Sequence, residues 1–148
     1  MEPIYLDYAA TTPVRDEVRE AMLPLLLDNF GNASSVHRWG RNAKVKLEEA
    51  RSRIAALLGA RPTEVVFTRG GTEADNMAIL GRSRLDRSRP VACSAIEHRA
   101  VLNAARAAEA EGATLHLLPV DANGVVDLGG LSDVLSANPS VVSCMWAN

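Results

Sequence analysis

Val65-Val-Phe-Thr-Arg-Gly-Gly-Thr-Glu-Ala-Asp-Asn76 is the stretch around which the rest of the sequence is organised. Three β-forming residues lead into a Gly-Gly turn, and apolar residues from Ala74 to Leu80 then recur at helical spacing. A strand that ends in glycines before a helix presents free backbone N–H groups and the positive end of a helix dipole, which suit a phosphate. Thr72 can cap the helix or bind a phosphate oxygen. Because glycine-rich turns also join ordinary strands to helices, this stretch alone leaves both interpretations open.

Composition is typical of a soluble globular protein. Of the 148 residues, 47% are apolar and 23% are charged, and a net charge of -2 favours neither nucleic acid nor an anionic membrane. No uncharged apolar run approaches the roughly 20 residues of a membrane span, and the N-terminus lacks a signal-peptide pattern. Cys93 and Cys144 lie far apart and match no metal-ligand spacing. We therefore expect two buried, reduced thiols, no metal site and a cytoplasmic location.

The first part of the chain predicts helices. Thr12-Pro13 is a typical helix start, and an apolar face follows from Val14 to Leu26. Phe30-Gly-Asn-Ala-Ser-Ser35 is a turn in which either serine can cap the next helix. Between Trp39 and Leu58 apolar residues recur three or four apart, and Gly59 ends that helix. Its basic opposite face indicates a solvated surface, with a partner-binding patch as the alternative.

Strand and helix patterns alternate through the rest of the chain. Further strands are predicted near Val91–Ser94, Leu115–Val120 and Val141–Met145, with helices between them. Gly112 should end the helix after the first of these strands, and Asn123-Gly124 should form a turn. This alternation predicts an α/β fold, with a mainly parallel sheet covered by helices on both faces.

The sequence stops at Trp146-Ala-Asn148, directly after a strand predicted to be buried. Ligands of open α/β sheets bind beyond the carboxyl ends of the strands, so the chain ends at the rim of its own predicted site. We therefore expect a truncated domain. Residues 1–60 should form an N-terminal helical segment, and residues 61–148 the first, incomplete part of the α/β domain.

Six short segments occur in a characteristic order. They are Tyr5-Leu-Asp-Tyr-Ala-Ala-Thr-Thr-Pro13; Phe30-Gly-Asn-Ala-Ser-Ser-Val-His37 with Gly40-Arg41; Phe67-Thr-Arg-Gly-Gly-Thr-Glu-Ala-Asp-Asn76; Ser94-Ala-Ile-Glu-His98; Pro119-Val-Asp with Gly124-Val-Val-Asp127; and Val142-Ser-Cys-Met-Trp-Ala-Asn148. Together they resemble the cysteine desulfurases, which are pyridoxal-phosphate enzymes of the class V aminotransferase group. The resemblance implies a truncated fragment of the large, cofactor-binding domain of a fold-type I pyridoxal-phosphate transferase.

The resemblance also implies roles for the residues at matching positions. Gly71 and Thr72 would bind the cofactor phosphate through backbone N–H and hydroxyl groups. His98 would be catalytic, lying over the pyridine ring and passing protons during the reaction. Asn148 would hydrogen-bond the cofactor near its ring oxygen. The alternative for His98 is a residue at a helix N-terminus with a satisfied hydrogen bond, and His37 either approaches the mouth of the site or lies at a subunit interface.

The sequence departs from the family pattern in two ways. Arg69 stands where the family usually has serine, and its side chain either reaches the phosphate or points to solvent. The family's Schiff-base lysine, the aspartate facing the pyridine nitrogen and the persulfide-forming cysteine all lie later in a longer chain. Neither cysteine of this chain matches the persulfide position, and neither Lys44 nor Lys46 matches the Schiff-base lysine. We therefore expect the 148-residue chain alone to be inactive.

The function implied is that of the N-terminal part of a cysteine desulfurase. Such a sulfurtransferase removes sulfur from L-cysteine to give L-alanine and an enzyme persulfide for iron–sulfur cluster assembly or thiolation. A selenocysteine lyase or another class V enzyme is one alternative, and a non-catalytic remnant or interaction fragment is another. The expected partners are L-cysteine, an iron–sulfur scaffold or other sulfur acceptor, and a second copy in a full-length homodimer, without nucleic acid or membrane.

Overall fold

The computed structural model describes residues 3–147, which fall into two compact units on either side of the Val66–Phe67 bond. The first unit contains α1 (Asp16–Leu27), α2 (Arg38–Leu58) and a 3₁₀ helix (Pro62–Glu64). The second contains α3 (Gly71–Leu85), β1 (Val91–Ser94), α4 (Arg99–Ala110), β2 (Leu115–Leu118), α5 (Leu128–Ser136) and β3 (Val141–Ser143). The domain division expected after residue 60 stays a prediction.

The second unit is built on a parallel sheet of three strands in the order β2-β1-β3. Val91 pairs with Leu115 on one side and with Val141 on the other, so β1 is the central strand. All four residues of β1 are buried, as expected of a strand covered on both faces. The predicted α/β class with a parallel sheet is confirmed.

Helices cover both faces of this sheet. On one face α3 and α4 pack over Val91 and Cys93, and small alanines of α4 allow the helix to approach closely. On the other face α5 packs through Val134 against Ala92 and Leu118. Successive residues of β1 thus point to opposite faces, and each face has its own apolar cluster.

Two predicted turns have the backbone that their glycines suggested. Gly112 ends α4 with φ of 104°, and Gly124 lies in the Asn123-Gly124 turn with φ of 79°. Both values fall in the region that side chains with a Cβ rarely adopt. The predicted end of the helix at Gly112 and the predicted turn at Asn123-Gly124 are confirmed.

The strand predicted at Val65–Phe67 is wrong. Val65 has extended backbone, with φ of -100° and ψ of 124°, but no strand among residues 3–147 pairs with this segment. A β-strand needs a neighbouring backbone to receive its hydrogen bonds, so β-forming residues alone do not produce one. The strand predicted over Leu115–Val120 also ends earlier, at Leu118, and Val120 makes only an isolated antiparallel bridge to Val126.

The helix starts predicted in the first unit are also wrong. Residue Asp16, and not Pro13, begins α1, whose first turn carries two acidic side chains that favour the positive end of the helix dipole. His37 caps α2, because its Nδ1 accepts a hydrogen bond from the Gly40 N–H at 3.3 Å. The serines lie in the preceding turn, where Ser34 N–H donates to Asn32 Oδ1.

The apolar faces of α1 and α2 are largely exposed. No residue of α1 is buried, and in α2 only Gly40 and Ala55 are buried. Leu57 is 87% exposed and Leu58 is 70% exposed, although both belong to the periodic apolar face. Helical periodicity therefore predicted that α1 and α2 are helices, but it did not predict how much of their apolar faces is buried. No helix within residues 3–147 is long and apolar enough to cross a membrane.

Candidate functional site

The glycine loop before α3 lines an open depression of about 570 Å³. Its walls are formed by Arg69, Gly70, Gly71, Thr72, Glu73 and Asn76. Ala74 is the first residue whose N–H donates back to the loop, to the carbonyl of Gly70 at 3.2 Å. The N–H groups of the first helical turn therefore precede the helical hydrogen-bond ladder and are free for an anion. The structure brings the predicted residues Gly71 and Thr72 together here.

Neither glycine of the loop is required by backbone geometry or by packing. Gly70 has φ of 163°, which is extended backbone open to any residue. A Cβ added at Gly70 or Gly71 would meet no protein atom within 4 Å. The space in front of both glycines is thus available to a ligand, and a phosphate fits this loop.

Four hydrogen bonds hold the loop in shape. The Thr68 hydroxyl donates to the Gly70 carbonyl at 3.1 Å, and the Asn76 side-chain amide donates to the Thr72 carbonyl at 2.8 Å. The Arg69 N–H donates to Glu73 Oε2 at 2.8 Å, so one carboxylate oxygen in the wall of the depression already accepts a hydrogen bond from the loop. The fourth is the Ala74 bond to Gly70. The hydroxyl of Thr72 is not used to cap α3, which has no side-chain cap, so the predicted capping role is wrong.

His98 caps α4 directly after the turn that follows β1. Its Nδ1 accepts a hydrogen bond from the Ala100 N–H at 3.1 Å. In the neutral imidazole the proton then lies on Nε2, which can donate to a ligand. The ring is exposed and borders a second depression of about 480 Å³. His98 therefore has the hydrogen bond at a helix N-terminus that the structural alternative predicted. This bond uses only Nδ1 and leaves Nε2 available for a proton transfer.

Chain topology directs the glycine loop and His98 toward the same edge of the sheet. Only five residues, 86–90, connect the end of α3 to the start of β1, so α3 ends at the amino edge of the sheet. Since α3 crosses the face that it shares with α4, its glycine-loop end points to the carboxyl edge, where β1 ends and His98 follows. This is the edge at which ligands of parallel sheets bind.

Two polar residues at this edge were missed by sequence reasoning. Glu97 is 6% exposed, and its Oε1 accepts a hydrogen bond from the Ser143 hydroxyl at 3.0 Å. Ser94 is fully buried, and its hydroxyl has no partner among the described residues. An acid placed three residues after a buried apolar strand was the available signal. Asn148, the remaining predicted site residue, lies outside the described residues.

Both thiols are held in the protonated form. Burial, and then the charge of Glu97, raise the pKa of Cys93 from 9.0 to about 11. Cys93 is buried as expected, but the burial expected for Cys144 is wrong, because this residue lies exposed just after the end of β3. Partial desolvation of its thiol, and then the charge of Glu97, still raise the pKa of Cys144. Since the thiolate is the nucleophile, neither cysteine has the environment of a reactive sulfur carrier. Residues 3–147 contain no group of three His, Cys, Asp or Glu side chains placed to hold a metal ion.

The chain is similar to known proteins over almost its whole length. The family model Aminotransferase class-V matches residues 4–148. The cysteine desulfurase IscS of Dictyoglomus turgidum is 45% identical over 147 residues, which cover 98% of this chain and 37% of that protein. The human cysteine desulfurase is 40% identical over 151 residues, covering all of this chain and 33% of the relative. This chain thus spans between a third and two fifths of the length of these curated relatives.

Solved structures show the same fold. A NifS-like protein superimposes with a TM-score of 0.89 at 35% identity, over 98% of this chain and 40% of that chain. The structure described as SspA in complex with cysteine has a TM-score of 0.82 at 36% identity, over 95% of this chain and 41% of that one.

Proposed function

Since this chain belongs to the class-V aminotransferase family, we propose that it is the N-terminal part of a cysteine desulfurase. Members of that family depend on pyridoxal phosphate. The complete enzyme would remove sulfur from L-cysteine, releasing L-alanine and leaving a persulfide on a cysteine outside this chain. The relatives named cysteine desulfurase support this proposal.

The observation that carries the proposal is the glycine loop before α3. The loop leads into first-turn N–H groups that precede the helical hydrogen-bond ladder, and it adds a threonine hydroxyl and open space where side chains would otherwise project. Gly71 and Thr72 would hold the cofactor phosphate through these groups. When bound, pyridoxal phosphate supplies an electron sink for the substrate carbon that bears the amino group.

His98 would hold or move a proton at Nε2. The Ala100 N–H fixes the ring through Nδ1, so the imidazole is oriented before a ligand arrives. A histidine with one nitrogen fixed and the other free is suited to general acid–base work near neutral pH. We extend the proposal to Asn148, whose side-chain amide would hydrogen-bond the cofactor.

The substrate proposal is L-cysteine. It is supported by the similarity to SspA, whose structure is described as a complex with cysteine. We further propose that the full-length protein is a cytoplasmic homodimer and passes its sulfur to an iron–sulfur scaffold or another acceptor protein.

Alanine formation tests the proposal. The full-length protein that contains this chain should convert L-cysteine to L-alanine in the presence of pyridoxal phosphate and a thiol reductant. The 148-residue chain alone should form none, because its two lysines, Lys44 and Lys46, lie on α2 and neither matches the cofactor lysine of the family. A full-length protein that binds pyridoxal phosphate but releases no alanine from cysteine would contradict the desulfurase function, and turnover of selenocysteine alone would support a lyase.

A further inference from the structure

Glu97 is an unusual acid in this chain because its side chain is buried. Among the acidic residues of the described chain it alone falls in the buried class, at 6% exposure. No lysine or arginine of residues 3–147 forms an ion pair with it. A buried carboxylate without a cationic partner is costly, so its retention at this place calls for a specific contact.

The contact that Glu97 makes joins two segments far apart in the sequence. The Ser143 hydroxyl donates to Glu97 Oε1 at 3.0 Å across 46 residues of chain. Ser143 is the last residue of β3, where it pairs with Cys93 of β1. The bond therefore ties the turn after β1 to the end of the neighbouring strand.

Each of these segments precedes a residue of the proposed cofactor site, by one position for Glu97 and by five for Ser143. Glu97 precedes His98, whose Nδ1 caps α4. The Glu97 N–H also donates to the Ser94 carbonyl at 3.3 Å, which closes the turn tightly over the end of β1. On the other side, Ser143 precedes Asn148 by five residues.

We propose that Glu97 is a positioning residue that fixes the His98 turn to the end of β3 through its hydrogen bond with Ser143. This inference rests on the proposed function for the role of His98, but the geometry that it predicts exists without ligand. Loss of the carboxylate or of the hydroxyl frees the turn from β3 and lets the His98 ring leave its fixed orientation. Glutamine at position 97 retains an acceptor oxygen of the same reach and preserves the link.

The first experiment uses the ligand-free chain. Glu97→Ala and Ser143→Ala should each shift the His98 imidazole signals in NMR spectra and increase hydrogen exchange at the Ala100 amide, whereas Glu97→Gln should restore wild-type behaviour. Glu109→Ala removes an exposed acid from the helix that follows and serves as the control. Ser143→Ala keeps the inference testable if the truncation at position 97 does not fold.

A purely structural role predicts a different result. The variants would then lower the unfolding midpoint while the His98 signals and Ala100 exchange of the folded state stay as in wild type, and this outcome would overturn the inference. In the full-length protein, Glu97→Ala and Ser143→Ala should weaken pyridoxal-phosphate binding about threefold to tenfold, as expected for one lost hydrogen bond. Failure of the wild type to bind the cofactor would contradict the proposed function, whereas the ligand-free spectra decide the role of Glu97.

Discussion

Gly70 and Gly71 show what sequence context predicts about individual residues. Their place before a helical pattern predicted an anion-binding turn, and the structure places them at the N-terminus of α3. The sequence could not show why both are glycine. The structure excludes backbone strain and protein packing as reasons, because Gly70 is extended and added Cβ atoms meet nothing. The space in front of both glycines is open, so a ligand can approach the backbone of the loop there.

Substitution of Gly71 should separate stability from ligand binding. Gly71→Val places a side chain in the open space where the phosphate would lie, at a position where an added Cβ meets no protein atom within 4 Å. We expect the free energy of unfolding to stay within the range of a neutral surface substitution, about 0.5 kcal/mol, while binding of pyridoxal phosphate is lost. Thermal unfolding and fluorescence titration measure the two effects. Thr63→Val, at an exposed position of the 3₁₀ helix, is the control. If Gly71→Val binds pyridoxal phosphate as tightly as the wild type does, this loop is not the phosphate site.

Two substitutions of His98 should distinguish its structural role from its chemical role. Asparagine retains a side-chain acceptor for the Ala100 N–H, whereas alanine removes it. We expect His98→Ala to lower the free energy of unfolding by about 1 kcal/mol and His98→Asn to lower it by less. Both should abolish alanine formation by the full-length protein, because neither side chain can transfer a proton at Nε2. Full activity of His98→Asn would contradict the proton-transfer role and leave His98 only the role of a helix cap.

The raised pKa of Cys93 predicts how stability depends on alkaline pH. The folded chain holds this proton up to about pH 11, whereas the unfolded chain releases it near 9.0. The native state therefore binds more protons in this interval, and the free energy of unfolding falls as pH rises through it. Urea unfolding across the interval should show a smaller fall for Cys93→Ala than for the wild type. If the free energy of unfolding falls equally with pH in Cys93→Ala and in the wild type, the Cys93 thiol is not desolvated in the folded state.

At the scale of elements, periodicity and turn residues predicted most helices and strands of the second unit. The three strands lie within the apolar runs that predict them, and Gly112 and Gly124 mark turns as expected. The errors have a common cause. Val65–Phe67 has the residues of a strand but belongs to none of the three strands found within residues 3–147, and α1 begins beyond its proline signal. Pairing and capping depend on neighbours that local patterns do not contain.

The cap of α2 shows the same limitation. The sequence pattern suggested Ser34 or Ser35 as the cap, whereas His37 Nδ1 closes the helix by accepting from the Gly40 N–H. The place of His37 at the site mouth or at a subunit interface stays a prediction. Gly40 itself is required by close approach, because a Cβ there would overlap the carbonyl of Ser35. The turn before α2 is therefore a tightly packed element.

Gly40→Ala should consequently destabilise the first unit. The added methyl group forces the backbone of the turn apart, and overpacking of this kind costs about 1–3 kcal/mol. Gly81→Ala is the matched control, since Gly81 lies within α3 with open space around it. There alanine should raise stability by about 0.5–1 kcal/mol through its helix propensity. Chemical denaturation measures both. Equal effects of the two substitutions would contradict the close approach.

At the scale of the whole molecule, the order of the motifs was the strongest sequence signal. The alternation of strands and helices predicted the parallel sheet with helices on both faces, and the structure confirms this arrangement. The link between Glu97 and Ser143 could not be predicted, because it joins residues 46 positions apart and depends on the register of β1 and β3. Sequence thus located the candidate residues, and tertiary structure revealed which of them are coupled.

Phosphate-dependent binding tests the central claim most directly. Affinities for pyridoxal phosphate and for pyridoxal, which lacks the phosphate, should be compared by equilibrium dialysis. A background with Lys44→Arg and Lys46→Arg removes reaction with the side-chain amines of α2. We predict that pyridoxal phosphate binds at least about tenfold more tightly, as expected for charge-assisted hydrogen bonds at a helix N-terminus, and that Thr72→Ala reduces this difference. Equal affinities for the two compounds, unaffected by Thr72→Ala, would contradict a phosphate site at this loop.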